Sequence, residues 1–465
     1  MTDKPTPLRE MLARANMSPR QFGNAINSWL ADRGQANHRI DPSSPHKWVK
    51  HGYRPYPPFP AVAAFVLSER LGTTITETDL WPQRRPATLT TTLTAVADLD
   101  AGTCVEEVLS ALVALTTQSA GVQAEVTPAS GADLAAAVLA GLHTSVRWKH
   151  PRRGGERVLP AQVQLISAHV TELRRLDDLH GGGALNLRYL TGELRNILDL
   201  THAAACEEET IRRALLTIVS DLAQLVGWVH FDAHRYGAAE RYILLSERAA
   251  RALDDMGRTA NAIGMLAYIS AFAGHGHEAL YIAQAAQECC TDDPVLRARI
   301  VGRIATAAAA AGDQAGFRRA AEQAKQLLDS ATNMPAYLYY LEPEQLDAEA
   351  GQGLVVLGER LTTSRKRLLT EAVDLLAPIS GEGARPHFPR SALVHGTFLA
   401  KAYLLLDEAE LAVQAARAAL SRLDEVQSLR GLDQLRQLRP LFIQHRHNRS
   451  VAEFLPHFDQ AISQA

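Results

Sequence analysis

Apolar side chains recur at helical spacing along almost the whole chain. In residues 7–15, for example, Leu8, Met11, Leu12 and Ala15 stand at positions i, i+3, i+4 and i+7, which is the spacing of one face of an α-helix. The alternating pattern of a half-buried β-strand is scarce. The pattern therefore predicts an all-α protein.

Five short helices are predicted in the first 86 residues, and capping residues, prolines and glycines mark their ends. They span 7–15, 18–34, 42–52, 60–72 and 76–81. The third is short and basic, with Asp41 as its predicted cap, and the fourth is almost wholly apolar, as expected for the centre of a core. Five short helices with a basic third one are the outline of a helix-turn-helix domain.

Two stretches of this segment resemble the XRE-type, lambda-repressor-like family of helix-turn-helix domains. "MSPRQFGNAIN" is similar to the first half of that motif, with Phe22, Gly23 and Ile26 at its packing positions, and "SSPHKWVKHGYRP" is similar to its recognition helix. The stretch "FVLSERLGTTITETDLWP" is similar to the closing helices of the same domain. The resemblance implies a domain that binds double-stranded DNA.

The connection between the two central helices departs from that family. The motif ordinarily joins them by a turn of about 3–4 residues, whereas this chain has "ADRGQANHRI" at that point. The second helix and the loop are therefore longer, and the angle at which the third helix would enter a groove is left open.

The resemblance also implies which residues contact DNA. The outward residues in the N-terminal part of a recognition helix meet base edges in the major groove, and here they are Ser43, Ser44, His46, Lys47 and Lys50. Phosphate contacts, which fix register without reading sequence, are expected from Arg20, Gln21, Arg39 and Arg54. The alternative for each basic residue is a solvated surface charge, and Trp48 is assigned to the core.

The distribution of charge agrees with a polyanionic partner for the first segment. Residues 1–86 contain 12 Lys and Arg against 7 Asp and Glu, a net charge of +5, whereas the rest of the chain contains 36 against 44, a net charge of −8. A basic head on an acidic body favours binding of the head to nucleic acid.

Residues 87–158 are interpreted as a linker and helical connecting region. They begin with the small, polar stretch "PATLTTTLTAVAD" and then include two apolar helical stretches. The basic run "KHPRRGGER" lacks the G-x-x-x-x-G-K-[ST] spacing that places a lysine on a triphosphate. It is interpreted as a solvated hinge.

Paired helices with internal similarity are predicted over residues 159–465. Four stretches place a small residue twelve positions before a second small or apolar one, as in Gly227/Ala239, Ala267/Ala279, Ala305/Phe317 and Ala400/Ala412. Small residues at such positions let two antiparallel helices approach closely. The pattern resembles a degenerate tetratricopeptide repeat of about 38–40 residues, which implies a superhelix with a concave groove.

Head and body together resemble the XRE–tetratricopeptide transcription regulators of actinomycetes, through stretches such as "RRLDDLHGGGAL" and "LRPLFIQHRHNRSVAEFL". By analogy, the groove is expected to bind a peptide, small-molecule or protein effector. The candidate effector-binding residues point off the first helix of each pair and are His230, Arg235, Asn261, Tyr268 and Arg303. The alternative for each of them is helix packing or exposure to solvent.

No enzymatic motif is found, and neither a metal nor a cofactor is expected. His230 and His234 have i, i+4 spacing but lack a third ligand and the glutamate of H-E-x-x-H. The four cysteines, Cys104, Cys206, Cys289 and Cys290, show no C-x-x-C spacing and are expected to be reduced thiols. G-x-S-x-G and G-x-G-x-x-G motifs in their required contexts are also lacking.

These observations predict a cytoplasmic, homodimeric transcriptional regulator that binds operator DNA with its head and senses an effector with its repeats. The N-terminus shows no secretory signal, and no apolar run reaches the roughly 18 residues that span a bilayer, so no membrane association is expected. The alternative is an interaction scaffold whose head no longer reads DNA sequence, which the lengthened connection favours.

Overall fold

The protein is all-α over the part of the chain that the computed structural model describes, as the periodicity predicted. That part comprises residues 6–32, 39–51, 53, 55, 59–71, 75, 80–81, 104–119, 126–148, 157–203, 208–384 and 387–464. It contains 20 α-helices and a short 3₁₀ helix, Ala336–Leu338. The chain forms two compact units, Met1–Thr91 and Thr92–Ala465.

The described residues of the first unit form four short helices around one core. They are α1 (Pro7–Arg14), α2 (Pro19–Asp32), α3 (Ser44–His51) and α4 (Phe59–Leu71). The core includes Leu8, Phe22, Ile26, Trp48 and Leu67, which are all buried. Of the fifth helix predicted at 76–81, only Leu80 and Trp81 are among the described residues, and both are buried.

Two contacts fix the approach from α2 to α3. A Cβ added to Gly23 would lie 2.8 Å from the carbonyl oxygen of Pro42, so only glycine allows the backbones to come this close. The Asn27 side chain donates to the Ile40 carbonyl oxygen (2.8 Å) and accepts from the Ile40 backbone N–H (3.0 Å). Residues 33–38, in the lengthened connection, lie outside the described residues, but the point at which the chain returns to α3 is held by Asn27.

In the second unit, the part of the chain that the structure describes forms sixteen helices. They are α5 (Val105–Ser119), α6 (Gly131–His143), α7 (Pro160–His180), α8 (Ala184–Ala203), α9 (Glu209–Asp232), α10 (Tyr236–Ala252), α11 (Met256–Phe272), α12 (Gly276–Glu288), α13 (Pro294–Ala311), α14 (Gln314–Asp329), α15 (Pro343–Arg360), α16 (Arg365–Ser380), α17 (Pro389–Leu405), α18 (Ala409–Arg422), α19 (Leu429–Gln444) and α20 (Arg449–Gln464).

From α9 onward these helices form a repeat array of adjacent pairs. Each of the five pairs from α9–α10 to α17–α18 packs closely, and the first helices of successive pairs also contact one another from α11 to α19. The predicted close approach at Gly227 is present, because a Cβ there would lie 2.6 Å from Cγ1 of Ile243 and 3.2 Å from the Ala239 carbonyl oxygen. The helices α5 and α6 pack against α10 and α12.

The two ends of the array meet. Helix α7 packs against both α9 and α17, and the backbone N–H of Gln427, just before α19, donates to the His180 carbonyl oxygen at the end of α7 (2.8 Å). Ser428 Oγ donates to Asp232 Oδ1 at the end of α9 (3.0 Å). The first helices of the pairs therefore surround a central cavity.

Helix α9 is long and apolar enough to cross a membrane, and it is the one such helix among the described residues. Within its most apolar window, 72% is buried inside the protein. This burial is that of a core helix, since α9 lies between α7, α8 and α10.

Candidate functional site

The exposed face of α3 is the first candidate site. His46, Lys47 and Lys50 are exposed on this helix, while Pro45 and Trp48 are buried on its other side. Trp48 packs edge-to-face against Trp81 (6.2 Å between centroids), which agrees with its assignment to the core. The helix thus presents two lysines and a histidine to solvent from a rigidly packed backbone.

Two of the predicted DNA contacts are already engaged in capping. The Ser43 backbone N–H and hydroxyl both donate to Asp41 Oδ1 (2.7 Å each), which with the nearby Arg20 charge lowers the pKa of that carboxyl. Gln21 accepts from the Ser18 backbone N–H (2.8 Å) and hydroxyl (2.9 Å), forming a capping box at the start of α2.

The other predicted DNA contacts lie around the same helix. Arg20 and Arg39 are exposed, and Ser44 is half-buried in the first turn of α3. Arg54 lies outside the described residues. The chain therefore places four exposed basic side chains, Arg20, Arg39, Lys47 and Lys50, on or next to the α2–α3 pair.

The central cavity of the second unit is the second candidate site. The empty space between its lining residues is about 860 Å³, a volume that includes open solvent. Six aromatic residues line it, namely Trp228, Tyr268, Tyr337, Tyr339, Tyr340 and Phe388.

One side of the cavity is a buried cluster of opposite charges where the ends of the array meet. Arg390 Nη2 lies 3.2 Å from Asp177 Oδ2 and 2.8 Å from Asp178 Oδ1, and Arg430 Nε lies 3.3 Å from Asp232 Oδ1. Burial raises the pKa of Asp177 to about 7, and the Arg390 charge only partly opposes it. Both guanidinium groups lie 5.4 Å from the Trp228 ring centroid, close enough for cation–π attraction.

The other side includes Glu349 and Arg303, and Arg299 is buried next to Glu349 outside the lining. Arg299 bonds both carboxylate oxygens of Glu349, through Nη1 (3.2 Å) and Nη2, and Gln345 donates to Oε1 (3.1 Å). Against the effect of burial, the two arginine charges lower the pKa of Glu349 to about 2. Arg303 stands farther away, 3.6 Å from Oε2, and its guanidinium lies 4.2 Å from the Tyr268 ring centroid.

A buried histidine adds a neutral donor to this wall. Gln352 Nε2 lies 2.7 Å from His395 Nδ1, and burial lowers the pKa of His395 to about 4. The ring is therefore neutral near pH 7, and donation from the glutamine amide to Nδ1 places its proton on Nε2.

The five predicted effector residues divide between the cavity and other places. Tyr268 and Arg303 line the cavity. His230 is buried away from it, stacked on Tyr242 (5.1 Å between centroids), and burial lowers its pKa to about 3. Asn261 is also buried outside the cavity lining, and Arg235 is exposed at the start of α10.

Sequence reasoning missed the residues of α7, α15 and α17 that complete the cavity. Asp177, Glu349, Arg390 and His395 all line it, yet they lie far apart along the chain. A charged residue on the apolar face of a first helix was the available signal, because buried charges need partners.

Metal and thiol chemistry find no support in the part of the chain that the structure describes. It contains no group of three or more His, Cys, Asp or Glu that could hold a metal ion. Cys104, Cys289 and Cys290 are free thiols, and burial raises the pKa of Cys289 and of Cys290 to about 11. Cys206 lies outside the described residues.

Comparison with known protein families finds a match for the head. A family model described as the SP15 N-terminal domain matches residues 8–80, which cover α2 to α4 and all of α1 except its first residue. This description differs from the XRE-type family that the same residues resemble, so that resemblance stays a prediction. No curated protein matches the chain.

Proposed function

We propose that the protein is a sequence-specific, DNA-binding regulator of transcription. Its head binds double-stranded DNA through α3, and its repeat array binds an effector in the central cavity. The observation that supports DNA binding best is the exposed face of α3, with His46, Lys47 and Lys50 on a helix fixed by buried Trp48. A short basic helix anchored by its apolar side is the form in which recognition helices enter the major groove.

Charge and helix packing support the same proposal. The head has a net charge of +5 within a chain of net charge −3, and lysine and arginine contacts to phosphate dominate non-specific affinity for DNA. Asn27 and Gly23 hold the chain where it approaches α3. The lengthened connection is therefore compatible with a fixed recognition helix.

The proposed role of the repeat array is to bind the effector. Its first helices, together with α7, line the central cavity, and a ligand with different affinities for two arrangements of the protein would shift their populations. We further propose that the protein acts in the cytoplasm as a homodimer on a two-fold site, as in XRE–tetratricopeptide regulators.

The test is selection of bound sequences from a random pool of double-stranded DNA by the full-length protein. Enrichment of one motif, with affinity that falls as salt rises, is the expected result. Uniform weak binding, or no binding, would contradict DNA reading and would favour the interaction scaffold instead.

A further inference from the structure

Arg303 is a buried cation without a full partner, and this is the starting point of the inference. It lies one helical turn after Arg299 on α13, is 4% exposed, and lines the cavity. Its Nη1 has no hydrogen-bond partner among the described residues. Glu349 is the carboxylate it approaches, at 3.6 Å, and Arg299 already bonds both oxygens of that group.

Because their contacts with Glu349 differ, the pKa values of Arg299 and Arg303 are shifted in opposite directions. Burial lowers the pKa of Arg299, but the charge and hydrogen bonds of Glu349, together with the nearby tyrosines, more than offset it and raise that pKa. Burial and the neighbouring Arg299 charge lower the pKa of Arg303. One carboxylate thus serves two guanidinium groups, and the one without a hydrogen bond to it, Arg303, lies against the face of Tyr268 on the cavity wall.

His395 provides a second donor without an acceptor. Its Nδ1 is paired with Gln352, whereas its Nε2 has no hydrogen-bond partner in the described part of the chain. Burying an unpaired donor costs free energy, so a ligand that accepts hydrogen bonds would stabilise this wall.

The acceptors of the cavity are by contrast largely in use. Asp178 accepts from Tyr339 and from Arg390, and Glu349 accepts from Arg299 and Gln345. The exception is Asp177 Oδ1, which belongs to a carboxyl that burial favours in its protonated form. A cationic ligand would therefore meet a wall whose carboxylates are already neutralised.

We propose that the cavity binds an organic carboxylate with a flat, apolar body, and that Arg303 is the residue that binds its charged group. The guanidinium fork matches the two oxygens of a carboxylate, and the aromatic walls suit a flat body. This inference deepens the effector half of the proposed function and does not depend on the DNA half.

Burying the incompletely paired charge of Arg303 costs free energy in the ligand-free protein, and a substitution can test this. Replacing an incompletely paired buried charge by an apolar side chain of similar volume is often neutral or stabilising. Arg303→Met should therefore leave the ligand-free protein at least as stable as the wild type. Arg299→Met is the matched control. Arg299 is an arginine on the same helix and is also buried, but its substitution breaks a two-bond ion pair.

The experiment is thermal unfolding of the full-length protein with ligands of matched shape and opposite charge. Indole-3-acetate is compared with tryptamine, benzoate with benzylamine, and inorganic phosphate serves as an anion without a flat body. We expect a saturable rise in Tm of roughly 2–5 °C with an aromatic acid at about 100-fold above its Kd, and no rise with its amine. Arg303→Met should abolish the rise, and Arg303→Lys should keep part of it.

The proposal would be overturned by no rise with either acid, by an equal rise with the matched amine, or by an undiminished rise in Arg303→Met. A larger rise with phosphate than with either acid would also overturn it, since the ligand would then be a phosphate. Because no DNA is present, a protein that binds the acid but selects no DNA sequence would fail only the DNA half of the proposed function.

Discussion

Arg299 and Glu349 form a two-bond ion pair that joins α13 to α15 inside the repeat array. Arg303, four residues later, faces the same carboxylate from a greater distance. The pair is buried, so its hydrogen bonds act in a medium of low dielectric constant. Two arginines of identical chemistry thus have different places, since Arg303 lines the cavity whereas Arg299 is buried outside its lining.

The first prediction is that Arg299 and Arg303 contribute differently to the free energy of unfolding. Arg299→Met should lower the free energy of unfolding by about 3 kcal/mol, because it removes the main partner of a buried carboxylate. Arg303→Met should change it by less than about 1 kcal/mol or raise it. Urea unfolding followed by circular dichroism measures both, and equal losses in the two variants would show that Arg303 has a structural role like that of Arg299.

The second prediction concerns a buried carboxyl outside the cavity. Both oxygens of Glu247 are without hydrogen-bond partners among the described residues, and Arg251 Nε is 3.7 Å away. Burial raises the pKa of Glu247 from 4.5 to about 7, against the Arg251 charge. Because the folded state binds this proton more tightly than the unfolded state, stability falls as the pH rises from 4.5 through 7.

Glu247→Gln should therefore gain stability relative to the wild type at pH 8 and differ little from it at pH 4.5. Urea unfolding at the two pH values measures this. Glu453→Gln, at an exposed position of α20, is the control and should stay within about 0.5 kcal/mol of the wild type at both. If Glu247→Gln differed from the wild type by the same amount at both pH values, the raised pKa of Glu247 would be contradicted.

The third prediction tests the close approach of the first array pair. Gly227→Ala should destabilise the protein by about 1–3 kcal/mol, because the new Cβ would lie 2.6 Å from Ile243 Cγ1 and force the helices apart. Gly192→Ala, also inside a helix but with no atom within 4 Å of the new Cβ, should instead stabilise it by about 0.5–1 kcal/mol. Thermal unfolding of the two variants measures both effects. A Gly227→Ala variant more stable than the wild type would contradict the close packing of α9 and α10 at Gly227.

The twelve-residue spacing of small and apolar residues shows how much of the fold can be predicted from the sequence. The pairs α9–α10, α11–α12, α13–α14 and α17–α18 follow from small and apolar residues twelve positions apart. The pair α15–α16 was not singled out. Its close approach of Gly358 to Leu369, at 2.9 Å from an added Cβ to Cδ2, spans eleven positions instead of twelve.

The cavity was less predictable than the pairs. Tyr268 and Arg303 were anticipated because they point off the first helices of neighbouring pairs. The contact between Asp178 of α7 and Arg390 of α17 joins residues 212 positions apart, and it depends on the closure of the array. Local periodicity contains no information about that closure, since it reports only which face of each helix is apolar.

The fourth prediction tests the support of α3. Asn27→Ala removes the two hydrogen bonds to the backbone of Ile40, which should cost about 1–2 kcal/mol locally. Hydrogen exchange at the Ile40 amide should become roughly 5–30 times faster, and DNA affinity should fall because α3 is less well placed. Asn24→Ala, exposed on the same helix, is the control, and equal exchange rates in the two variants would contradict a clamp at Asn27.

Sequence reading by α3 is measured by the specificity ratio of the full-length protein. This ratio is the affinity for the selected motif divided by the affinity for a scrambled duplex at one fixed salt concentration. We predict a ratio of about 1,000 or more for the wild type. Lys47→Ala should lower it roughly 5- to 150-fold, corresponding to the loss of about 1–3 kcal/mol at one base contact. A wild-type ratio near one, or a ratio that Lys47→Ala leaves unchanged, would contradict the account.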